Sequence, residues 1–187
     1  MKKMNFIALG LVLCCFQVSA ATLPAKAFSQ TCFTPGTPGA SCTKMIVDAL
    51  GSAKQSIFVQ TYSLTSPAIA KALTLAEQRG IDVKVILDKQ LQNQRYSVIN
   101  FFENQDKPIV PVWVDYKVPL ARSNVMLIDN QTLITGTTFN FPVIPKTKGE
   151  QPRPDNADNI LITNNPDLVM SYYKNWQDRL QVSQKMI

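Results

Sequence analysis

The feature that most constrains this chain is a pair of short apolar runs, Val125 to Ile128 and Leu133 to Ile134, separated by Asp129 and Asn130. Runs of this length, bounded by turn formers, predict the two buried strands of a core hairpin. Polar residues cluster only at its mouths. Arg122, Ser123 and Asn124 lead in, and Gly136, Thr137, Thr138 and Asn140 lead out.

The segments before the hairpin alternate in kind. Ser56 to Tyr62 reads as a buried strand, and Ile81 to Leu87 as a second one ending at Asp88 and Lys89. Between them a helix starts at Ser66 as N-cap with Pro67 at its first position, and Gly80 stops it. Strand, helix, strand at this length predicts a right-handed parallel crossover. An earlier helix carries Ile46, Ala49, Leu50 and Ala53 on one face, and a later one, about 94 to 104, carries Val98, Ile99, Phe101 and Phe102. Ile109 to Val114 reads as a strand, and Pro108 and Pro111 suggest an edge position or a bulge. The last strand is Asn159 to Thr163. A final helix from Pro166 to about Leu180 bears Val169, Tyr172, Tyr173, Trp176 and Leu180 as a core stripe. The expected architecture is α/β, with a mixed, largely parallel sheet flanked by helices.

Residues 1–20 read as an address. Lys2 and Lys3 precede an apolar run from Phe6 to Phe16, too short to span a bilayer, and Val18, Ser19 and Ala20 form a cleavage pattern. In Leu11-Val12-Leu13 before Cys14 a bulky leucine stands where lipidation needs a small residue, so the expected product is a periplasmic or secreted protein starting at Ala21. Loss of Lys2 and Lys3 leaves 17 basic against 13 acidic residues, a net charge of +4. That balance permits attraction to phosphate polymers or anionic surfaces without establishing either. Cys32 and Cys42 then remain around a turn-rich loop. In an oxidising compartment they are expected to form a disulfide, worth on the order of 3 kcal/mol in the loop-entropy model. Two thiols without a histidine fall short of a metal site, and no cofactor is expected. Residues 21–42 form an N-terminal segment and 43–187 one domain.

The hairpin resembles the signature of the phospholipase D superfamily, His-x-Lys-x4-Asp followed by Gly-Ser-x-Asn. Arg122 stands at the histidine position, Asn124 at the lysine, Asp129 at the aspartate, Gly136 at the glycine and Thr137 at the serine. Asn140 falls one residue later than the pattern, which suggests a bulge. From about Thr43 onward the chain is similar to the small secreted bacterial endonucleases of the Nuc type. The landmarks are Ala53 to Ile57, Tyr62 to Thr65, Arg79 to Asp88, Asn156 to Asn159 (with Asp158), and Trp176 to Arg179. The resemblance implies the phospholipase D-like fold with one signature per chain, and a homodimer in which two signatures meet at one site.

It also implies phosphodiester chemistry that this sequence cannot perform in the usual way. In the family, histidine attacks phosphorus, a second histidine protonates the leaving oxygen, and lysine stabilises the charge. The chain contains no histidine. Arg122 stays protonated and offers donors without an acceptor, so it can hold a phosphate but not attack one. Asn124 cannot replace the lysine charge, and a dimer lacks both copies. The sequence-level expectation is therefore a non-catalytic homodimer binding nucleic acid, another phosphodiester such as a lipid head group, or an envelope protein partner. Arg122, Asn124, Asp129, Gly136, Thr137, Asn140 and Asp158 would form its site, and Lys89, Lys117, Lys146, Lys148 and Arg153 a positive rim. Arg122 could instead be a surface residue, or pair with Asp129 or Asp158. The alternative is a phosphodiesterase with non-standard residues: Ser123, Thr137 or Thr138 activated by Asp129 or Asp158, or a metal held by Asp115, Asp129 and Asp158. The proline- and charge-rich stretch 141–156 is expected to border the cleft.

Overall fold

The structure is a computed structural model and describes residues 27–37, 39–90, 98–103, 110–141 and 156–187. The expected leader 1–20, the helix positions 94–97 and 104, Pro108, and Lys146, Lys148 and Arg153 lie outside the described residues.

Eight strands form one sheet: β1 (Ser29–Phe33), β2 (Ser56–Thr61), β3 (Asp82–Asp88), β4 (Val112–Asp115), β5 (Val125–Ile128), β6 (Thr132–Gly136), β7 (Asn159–Thr163) and β8 (Gln184–Lys185). Their spatial order is β1-β7-β6-β5-β2-β3-β4-β8. The sheet is mixed and flanked by helices, as expected, but it is not largely parallel. Parallel pairing is confined to β2 with β3 and β3 with β4, and every other neighbour pair is antiparallel. The reason is connectivity. The helix-carrying β2–β3 and β3–β4 connections set consecutive strands side by side, whereas β1 with β2 and β7 with β8, also joined through a helix, are not neighbours in the sheet, and the tight β5–β6 turn reverses direction.

Four helices accompany the sheet: α1 (Gly39–Gly51), α2 (Pro67–Gln78), α3 (Val98–Glu103) and α4 (Pro166–Val182). One core packs Ile46 and Leu50 of α1, Ile69 and Leu73 of α2, and Phe102 of α3 against Ile57, Val59, Val83 and Val85. A second core sits under α4, where Val169 and Trp176 meet Phe58, Ile86, Val125 and Leu127. The expected aromatic stripe of the last helix is thus core packing. Trp176 stacks on Phe58 with ring centroids 4.4 Å apart, and its indole N–H donates to the carbonyl of Val59 at 3.1 Å. Burying a side chain of this size contributes roughly 2–3 kcal/mol.

Ser66 and Pro67 open α2 as expected, although Ser66 makes no side-chain cap bond, and Gly80 adopts φ +81° beyond its end. Pro111 precedes β4 rather than interrupting it, and β4 is not the sheet edge, because β8 pairs beyond it. Two strands escaped the sequence. β1 pairs with β7 across some 130 residues of chain, and β8 is only two residues long. Among the described residues, no helix is long and apolar enough to cross a membrane.

Candidate functional site

The strand directions bring a defined set of residues to one edge of the sheet. The C-terminal ends of β1, β2, β3, β4 and β6 meet the N-terminal ends of β5 and β7 there. Thr34, Thr61, Asp88, Asp115, Asn124, Thr137 and Asp158 all lie at or just beyond this edge. Crevices outside strand ends are where α/β sheets place ligands.

Asn124 is tied into the wall of this mouth. Its side-chain oxygen accepts from the Thr61 hydroxyl at 2.7 Å, and its amide donates to the Thr137 carbonyl at 2.8 Å. Its own carbonyl accepts from the Thr135 hydroxyl at 2.9 Å. One side chain therefore joins the end of β2 to the turn after β6. Its amide group is engaged at both ends and carries no charge.

Gly136 is required by contact. A Cβ there would lie 2.0 Å from the Asn159 carbonyl oxygen. Thr137 continues the same junction: its N–H donates to Asn159 O at 3.0 Å, and its hydroxyl donates to the Asp158 carboxylate at 2.8 Å. That hydroxyl also accepts from the Asn159 N–H at 3.0 Å. Asp158 is in turn held by Thr34, which donates its N–H to Asp158 O at 2.9 Å and accepts from Asp158 N at 3.1 Å. The Cys32–Cys42 disulfide, with its Cα atoms 5.6 Å apart, fixes the strand just before Thr34 to α1.

Asn140 reaches across to the loop after β2, accepting from Thr65 N at 2.7 Å and donating to Ser63 O at 2.9 Å. Its extra residue does not make a ladder bulge, because β6 has already ended at Gly136. The loop absorbs it by burying Phe139 completely.

Arg122 differs from all of these. It is exposed, and among the described residues its guanidinium makes no hydrogen bond or ion pair, with Asp129 and Asp158 or otherwise. Lys117, which follows β4, is also exposed at this edge, and Lys89, which follows β3, is half-buried there. Among the described residues, the edge thus presents three cations that pair with no carboxylate, besides Arg179 on Asp115.

Asp129 does not belong to this mouth. It sits at the other end of β5, about 16 Å away by strand rise, in a turn where it and Asn130 adopt φ of 54° and 52°. Its carboxylate accepts from the N–H groups of Lys54, Gln55 and Ser56 at 2.9, 2.7 and 2.9 Å. Burial pushes its pKa up, but those three N–H groups and the Lys54 charge outweigh that effect and hold it below the usual carboxylate value. Asp129 therefore joins the start of β2 to the hairpin turn and cannot serve as a base for the hydroxyls at the mouth. Nor can it share a metal with Asp115 and Asp158. Asp115 is buried and held by Arg179 Nε at 2.7 Å, and no group of potential ligands suited to a metal occurs among the described residues.

Sequence reasoning missed Thr34, Thr61 and Asp88. Thr61 and Asp88 carried a signal only as the polar ends of apolar strands.

Residues 46–180 match the family described as cardiolipin synthase, PLD-like domain. A phospholipase D of Rickettsia typhi is 36% identical over 150 residues, which cover 80% of this chain and 67% of that protein. Among solved structures, Nuc from Salmonella typhimurium superposes with a TM-score of 0.71 at 29% identity, over 86% of this chain and 99% of that one. NucT from Helicobacter pylori gives 0.69 at 17% identity, over 86% and 100%. At that identity, the likeness to NucT speaks for the fold alone.

Proposed function

The chain belongs to the phospholipase D-like superfamily, and from that premise we propose that it is an exported, homodimeric pseudoenzyme that binds phosphodiesters without cleaving them. One observation carries this reading: the position of the family's nucleophile holds Arg122, exposed and without a partner among the described residues, while Asn124 beside it is committed to internal hydrogen bonds. A guanidinium cannot attack phosphorus, but its planar fork matches two phosphate oxygens. Lys89 and Lys117 extend the positive edge, as a polyanion such as nucleic acid requires. Two copies facing each other, as in the Nuc-type arrangement, would present a pair of forks. Export rests on the leader pattern of residues 1–20, and the degenerate signature on the register of Arg122 and Asn124 with the family pattern.

The test is plasmid cleavage and oligonucleotide binding by the mature protein, its Arg122→Ala variant and an Arg122→His/Asn124→Lys double variant, with and without chelator. The expected outcome is binding without cleavage by the unmodified protein, weakened by Arg122→Ala. Cleavage by the unmodified protein above an empty-vector control overturns the proposal.

A second reading is a phosphodiesterase that uses Thr137, whose hydroxyl donates to Asp158 at 2.8 Å in the arrangement of a nucleophile beside a base. It requires chelator-resistant cleavage that disappears in both Thr137→Val and Asp158→Asn.

A further inference from the structure

The loop 116–124 leaves β4 and must cross the ends of β3 and β2 to enter β5, because the order at this edge is β5-β2-β3-β4. Three strand spacings make this about 14 Å. The loop is held at its start by Asp115, which accepts from Lys117 N at 2.9 Å, and at its end by Asn124. Midway lies Asp88, at the end of β3 and in register with Asp115. Asp88 is fully buried. One of its oxygens accepts from the Gln90 N–H at 2.8 Å, and the other from the Ala121 N–H at 2.5 Å.

Asp115 has the Arg179 guanidinium beside it, whereas among the described residues no Lys or Arg pairs with Asp88. A buried carboxylate is expensive unless N–H donors satisfy it. Its two donors come from two different loops, so it is a junction, and one of them belongs to the residue immediately before Arg122. The geometry points to Asp88 as a positioning residue for the phosphate fork: by holding Ala121 N–H, it fixes where the backbone presents Arg122. Asn124, three residues on, fixes only the strand entry. This inference rests on the reading of Arg122 as the phosphate ligand. It adds that the backbone from which the fork projects is fixed in advance, so less backbone ordering is lost on binding.

Asp88→Asn keeps the shape but leaves an amide NH₂ facing one of the two N–H donors. Binding of a short fluorescent single-stranded oligonucleotide at low salt is expected to weaken about tenfold. In an Arg122→Ala background the same change is expected to add nothing, because the effect runs through Arg122. Equal loss in both backgrounds marks a general structural role and overturns the inference. Amide exchange supplies the independent arm. Ala121 should be protected like the core strands in the unmodified protein and lose protection in Asp88→Asn, while Lys117, held by Asp115, keeps its own. An Ala121 amide that exchanges as fast as that of exposed Arg122 in the unmodified protein overturns the inference even if Asp88→Asn does not fold. If Arg122→Ala leaves binding untouched, the proposed function fails, and the exchange data still decide what Asp88 holds.

Discussion

The two ends of the β5–β6 hairpin divide the labour of one signature. At the turn end, Asp129 keeps the residue type of the family pattern, and its carboxylate gathers three N–H groups from the start of β2. At the mouth end stand Arg122 and Asn124, the first exposed and without a partner among the described residues, the second bound into the wall. On the proposed register, only the architectural part of the pattern is kept. Nothing else in the fold leans on the Arg122 side chain, whereas the Asp129 carboxylate ties three backbone donors, one of them on buried Ser56, to the hairpin turn.

This contrast predicts a gradient of stability effects, each measurable by urea unfolding. Gly136→Ala should be the most damaging, at about 3 kcal/mol or more, because the added methyl meets the Asn159 carbonyl, which is itself fixed in the sheet. Asp129→Ala should follow at about 2 kcal/mol, taking the acceptor from the buried Ser56 N–H, loosening Lys54 and Gln55, and placing alanine at positive φ. Asp129 also sets a pH dependence. Because its folded pKa lies below the ordinary 3.8, its stabilisation is fully present above that value and is lost as pH falls through the lower folded value. Asp129→Asn should therefore flatten the acid limb of the stability curve, and an unchanged limb would show that the three N–H bonds do not discriminate charge. Asn124→Ala should cost about 1 kcal/mol, through the Thr137 carbonyl left without its amide donor, because the Thr61 hydroxyl can still donate to the Ser63 carbonyl at 2.9 Å. Arg122→Ala should change stability by less than about 0.5 kcal/mol while weakening oligonucleotide binding. A large stability loss there would erase the distinction between the two ends.

How much of this was legible follows from where the partners lie. The hairpin, β7 and α4 announce themselves by local pattern, since Val125 to Ile128, Asn159 to Thr163 and the Val169 to Leu180 stripe each carry their own period. The disulfide is legible because the turn-rich loop between Cys32 and Cys42 carries little apolar surface to hold it. β1 is not, because Ser29 to Phe33 faces mostly solvent and gains its identity from β7 alone. The placement of Asp129 was misjudged because a sequence pattern records spacing but not direction: five residues along a strand carry a side chain to the opposite edge of the sheet. Asp88 was visible as a strand end, yet the Ala121 N–H that gives it meaning lies 33 residues away.

The doubly engaged amide of Asn124 acts as a ratchet. Replacing it with lysine supplies a charge but surrenders the bonds to Thr61 and Thr137, and does so before any histidine at position 122 has a use for that charge. Installing histidine first gives a nucleophile with no cation beside it. Neither single step gains activity, and one of them loosens the scaffold. On the proposed reading, a gain of hydrolysis would therefore take both steps together and recover the lost wall elsewhere.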